Sequence, residues 1–251
     1  MLLKGNSSRL VATLLPENAT NSTVDWSSSN PSVATVDVNG TVMAVASGTT
    51  NIIASSTDGN FTASCSVIVI VNVSSITLSV ANITLEKGKS TKLFVTVYPN
   101  DATDKTIVWS SSDANIANVD KDGNVQAING GNVIITATSA DDKISAKCSV
   151  AVTVPVQGIS IDKNELTLVK GQSATLKATI YPSDATLKDV LWSSDNPNVA
   201  NVDNGTVKAV GVGTANITVE SRVGNKRVSC KVKVEKSNNI DYNPYGDGQQ
   251  W

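Results

Sequence analysis

Apolar and polar residues alternate along most of the chain with a period of two. In "LFVTVYP" this places Leu93, Val95 and Val97 on one face. Leu10, Ala12 and Leu14 repeat the row, as do Leu176, Ala178 and Ile180. The next run sets Val24 in phase with Trp26, Ile107 with Trp109 and Val190 with Trp192. An Asn-Gly or Asp-Gly pair follows at Gly40, Gly123 and Gly205, a strong hairpin signal. Then come "TVMAV", "NVQAI" and "TVKAV", a turn glycine at Gly48, Gly131 or Gly213, and a second alternating run. Each cycle closes on "ASCSVIV", "AKCSVAV" or "VSCKVKV". No helical period appears. The pattern predicts about seven short strands per cycle, and so an all-β chain of immunoglobulin-like sandwiches.

The cycle is a repeat. Trp26, Trp109 and Trp192 recur every 83 residues, as do Gly5, Gly88 and Gly171. Pro16, Pro99 and Pro182 each stand ten residues before their tryptophan. The third copy has "VDNG" where the others have "VDVNG" and "VDKDG", so the cysteines Cys65, Cys148 and Cys230 are spaced 83 and then 82. A lost residue at a turn is tolerated, whereas in a strand it would flip every side chain. A period near 80 is too long for a solenoid unit and suits an independent β-domain. The expected domains are residues 1–73, 74–155 and 156–236, followed by a linker or docking tail at 237–251. The second and third copies open on a leading strand, "SSITLSVANITLEKG" and "QGISIDKNELTLVKG". The first begins at "MLLKG" and lacks it. The linkers between copies are almost nil, which predicts a semi-rigid array on the order of 100 Å long.

The residues "KG-S--L-A-V-P", "V-WSSSNPSVATVD-NG-V-AV--GT--I-A-S" and "C-V-V", three times over residues 1–236, resemble the bacterial immunoglobulin-like domain, group 2. That family occurs in intimin- and invasin-type adhesins, in other bacterial surface proteins and in phage tail and capsid proteins. The resemblance implies an extracellular or virion-borne β-sandwich on a phage or bacterial surface. It implies no particular ligand, because fold does not set function.

Composition narrows the chemistry. The chain has 251 residues, 40% of them hydrophobic, a formal charge of −2 and no histidine. The missing histidine removes the commonest general base and metal ligand. No basic run points to nucleic acid. The longest apolar run, residues 67–73, is strand length, against ~20 residues for a membrane helix. "MLLKGNSSRL" lacks the apolar core and cleavage site of a signal peptide, which fits either a phage structural protein, exported by lysis, or a fragment of a longer chain. No nucleophile elbow, phosphate loop, paired acid and base, or metal cluster is evident, so the chain reads as a non-enzyme without a cofactor.

Each candidate residue has two readings. Trp26, Trp109 and Trp192 fit a core plug, in phase with apolar neighbours, or a ligand platform; the core is preferred. Cys65, Cys148 and Cys230 fit an inward strand face better than a reactive thiol. "VDKDGNV" resembles part of a calcium loop, but the other copies lose an acid and no glutamate follows at the loop's spacing, so a hairpin is preferred. The tail's Tyr242, Tyr245 and Trp251 are possible anchors for partner docking. Expected partners are other protein subunits or surface glycans, with self-assembly possible through the incomplete first repeat and the tail. The leading functional reading is a structural and adhesive array, acting as spacer or attachment module. The alternative is a carbohydrate-binding module of a cell-wall-associated protein.

Overall fold

The computed structural model describes residues 1–59, 61–141 and 143–237. These form 25 strands and, among the described residues, no helix. The second and third repeats hold nine strands each and the first seven, where about seven were expected throughout. The extra strands come from runs that change sheets. Ser90–Lys92 pairs with Asn124–Ala127, but Val95–Tyr98, only three residues on, pairs with Ser75–Leu78. One alternating run therefore serves two sheets.

Each complete repeat has a four-stranded sheet, a three-stranded sheet and a two-stranded ribbon. In the third repeat the four-stranded sheet runs Glu165–Val169, Arg227–Glu235, Gly213–Ser221 and Val190–Ser194. Its first pair is parallel and the others antiparallel. The three-stranded sheet is Ser173–Thr175, Thr206–Ala209 and Ala200–Asp203, and the ribbon is Gly158–Ile161 against Ala178–Tyr181. The inner faces close on one core. Ala200, Val207 and Ala209 from one sheet pack with Ile217, Cys230 and Val232 from the other. Burying each large aliphatic here contributes about 1.5–3 kcal/mol.

The first repeat has the four-stranded sheet, shortened to Leu2–Leu3 at its parallel edge, and the three-stranded sheet. It has no two-stranded ribbon among the described residues.

The chain divides into two compact units. The first comprises Met1–Thr84, Lys89–Ile128 and Asn132–Ala151. The second comprises Leu85–Gly88, Asn129–Gly131 and the chain from Val152 onward.

Candidate functional site

Each tryptophan lies on an outer strand of its four-stranded sheet, opposite Ala54, Ala137 or Val219. All three are half-buried. The indole edge leans over the hairpin glycine. A Cβ on Gly40, Gly123 or Gly205 would stand 3.0, 2.9 or 3.2 Å from the ring's Cζ2. It would also stand 2.5 to 2.7 Å from the carbonyl oxygen of Leu10, Leu93 or Leu176. The ring therefore braces a hairpin against the sheet edge, using the space that glycine leaves.

The polar run after each tryptophan is turn chemistry. Ser29 and Ser112 accept hydrogen bonds from Asn51 N and Ile134 N, and Asp195 does the same for Asn216 N. Asn30 and Asp113 accept from backbone N–H groups two residues on. Such Asx bonds fix the turn and leave little polar capacity for a ligand.

The acids of the calcium-like loop are used the same way. Asp120 Oδ1 accepts from Asp122 N and Asn124 N, both at 2.9 Å, and Oδ2 accepts from Asn124 Nδ2 at 2.7 Å. These bonds, led by that from the Asn124 side chain, hold its carboxyl below the usual range. Among the described residues no group of three or more acidic, cysteine or histidine side chains is placed to hold a metal. The third copy, one residue shorter, closes instead on Asn204 at φ 46° and Gly205 at φ 82°, a tight two-residue hairpin.

The cysteines differ. Cys148 and Cys230 are fully buried, and burial raises both thiol pKa values. Cys65 is exposed, a correction to the core position expected for it. The cause is local. Cys230 is packed in a cluster that Ile161, Leu166 and Leu168 help to close, all from the leading segment. The first repeat has no counterpart to Ile161 or Leu166 among the described residues. Tyr242, Tyr245 and Trp251 lie outside the described residues.

Sequence reasoning missed a loop that joins repeats. After each of Pro99 and Pro182 comes an Asp-Ala-Thr triplet. Within the first unit, Val71 N donates to Thr103 Oγ1 at 2.8 Å, and Thr103 N donates to Val71 O at 2.9 Å. Ala102 is buried, and Lys4 Nζ reaches Asp101 at 2.7 Å. Within the second unit the same set recurs as Val154 with Thr186, buried Ala185, and Lys87 to Asp184 at 2.9 Å. The hydrogen bond from each lysine, the largest cause, lowers the aspartate pKa. The signal was available: Asp-Ala-Thr recurs at the same offset from the proline in both complete repeats.

A model of the bacterial Ig-like domain (group 2) family matches residues 1–67, 72–150 and 155–232. An uncharacterized protein of Clostridium acetobutylicum is 37% identical over 63% of the chain, which spans 17% of that protein. An Ig-like virion protein of Serratia phage KSP90 is 32% identical over 64% of the chain and 65% of its own length. The chain thus spans less than two thirds of either relative. Among solved structures, the three-domain titin segment I67–I69 matches with a TM-score of 0.51 at 12% identity, covering 94% of both chains, a likeness of fold.

Proposed function

The chain belongs to the bacterial Ig-like domain family, group 2, and from that premise we propose that it is a non-enzymatic structural array displayed on a phage virion or bacterial surface. There it acts as a spacer and attachment module. One observation carries this reading: the residues that repeat are those that fold and join the repeats. The tryptophan and glycine brace a hairpin, the serines close turns, and the Asp-Ala-Thr loop ties one repeat to the next. The likeness to the phage virion protein supports display on a particle. Deleting residues 74–156, which joins the first repeat to the third at matching positions, tests it. Attachment of the particles or cells to their target should fall. Unchanged attachment after removal of one repeat and then of all three would overturn the proposal.

A second reading has its own observation. In the second repeat, Phe94 is 64% exposed, with Lys92 Nζ 5.9 Å from its ring centre. Both line a shallow cavity of about 520 Å³ together with Trp109, Lys105 and Lys121. The first and third repeats carry Val11 and Lys177 in place of Phe94. An aromatic ring among lysines suits an acidic glycan. Chemical-shift changes confined to these residues on adding acidic oligosaccharides would support glycan binding, and their absence would remove it.

A further inference from the structure

In each complete repeat a strand of the entering segment lies beside the strand by which the chain leaves. In the third, Glu165–Val169 pairs in parallel with Lys231–Glu235 through five residue pairs, from Glu165 opposite Lys231 to Val169 opposite Glu235. Hydrogen bonds bound this ladder at both ends. Lys231 N donates to Asn164 O at 2.8 Å, and Lys170 N donates to Glu235 O at 3.0 Å. The second repeat has the same two end bonds, from Ser149 N to Ala81 O and from Lys87 N to Thr153 O, both at 2.8 Å. The ladder is also anchored by its side chains. Leu168, Val232 and Val234 are buried in one cluster, with Leu166 packed against it.

Direction decides what this pairing resists. Tension along the chain draws the entering strand back toward its N-terminal end and the leaving strand on toward its C-terminal end. Because the two run the same way, that pull slides them past each other along their whole length. Parallel bonds are evenly spaced across the pair, so they share the load and fail together. Leu166 and Leu168 have to leave the core in the same movement. Parting the same two strands from one shared end would instead break the bonds in turn. The contacts nearer the entry are weaker. Val154 and Thr186 exchange two hydrogen bonds, and Lys87 meets Asp184 in an exposed ion pair. These meet the load first, and once they part the ladder carries it.

We infer that the array carries tension. The parallel ladder between entering and leaving strands is a shear-loaded clamp, and the chain works as a load-bearing tether between whatever holds its two ends. This gives a role to the parallel pair in a sheet whose other pairs are antiparallel. The end bonds recur at matching positions in the second and third repeats, so the clamp is part of the repeated design. The property goes beyond display at a surface and is independent of it, because it lies in the direction and register of two strands.

Two handle positions on either side of the entering strand test this in the whole chain, each paired with a handle at Lys236→Cys. Lys163→Cys stands before the ladder and Lys170→Cys after it, and all three side chains are exposed. Cys65→Ser removes the exposed native thiol. Optical tweezers pull each pair at one loading rate. From 163 and 236 the ladder is sheared, and from 170 and 236 it is opened from one end. The handle at 163 lies past the ribbon strand Gly158–Ile161, which then takes no load. Step length identifies the third repeat: the 73 residues from 163 to 236 extend to roughly 240–260 Å, and the 66 from 170 to roughly 220–240 Å. Five pairs share the load in one geometry and break singly in the other, so the shear force should be about threefold the opening force or more. Both variants alter only surface side chains, so a difference in force is one of direction. Equal forces, or a weaker ladder in shear, would overturn the clamp.

Discussion

Two glycines of the second repeat separate backbone strain from crowding. Gly88 has φ 85° and Gly123 φ 82°. Both sit where an L-residue costs about 1–2 kcal/mol. A Cβ on Gly88 meets nothing within 4 Å. On Gly123 it would stand 2.7 Å from Leu93 O and 2.9 Å from Trp109 Cζ2. Neither is the loose end of a flexible chain. Gly88→Ala should therefore cost only the conformational term, less about 0.4–1 kcal/mol returned by stiffening the unfolded chain, leaving roughly 1 kcal/mol. Gly123→Ala adds a crowding cost of about 1–3 kcal/mol, for a total of roughly 2–4 kcal/mol. Hydrogen exchange of the strand Gly131–Ser139, read by mass spectrometry, reports this repeat alone. Protection should fall by less than about tenfold for Gly88→Ala and by about thirtyfold or more for Gly123→Ala. Equal losses would refute the bracing of the hairpin by the indole.

Three further outcomes follow from the same structure. A thiol reagent should modify one cysteine rapidly in the native chain and three after denaturation; rapid modification of two or three would contradict the burial of Cys148 and Cys230. The Asp101 carboxyl should titrate below 3.8 by NMR, and Lys4→Ala should raise it. Because its folded value is depressed, the lysine bond adds stability above the unfolded pKa and loses it as pH falls through the folded one. A bond-dependent loosening that begins near neutral pH would refute the assignment. Ile135→Ala, at a fully buried position, should cost the second repeat about 2–5 kcal/mol in urea unfolding. A change under 1 kcal/mol would place that side chain outside the core.

Sequence shows most of the interior because alternation, turn glycines and repetition all record side-chain direction. Val24 and Trp26 are both half-buried, and Cys230 and Val232 both fully buried. Depth is harder to read than direction. The tryptophans point inward but stand on outer strands, so they remain half-buried. Alternation also cannot show that Ser90–Lys92 and Val95–Tyr98 part into different sheets, since the side-chain period barely changes across the bend. Nor does it show that Glu165–Val169 pairs in parallel with Lys231–Glu235, a long-range choice. Alternation sets Cys65 in the row of Val67 and Val69 and so records its direction, not its exposure. The joining loop was visible as Asp-Ala-Thr after a proline, but its role needed the partner at Val71.

Display at a surface is the central claim, and immunogold electron microscopy of intact native particles or cells, with antibodies raised against this chain, tests it most directly. Gold on the outside of virions or cell envelopes is the expected result. Labelling that appears only in sectioned cytoplasm, with bare intact surfaces, would contradict it.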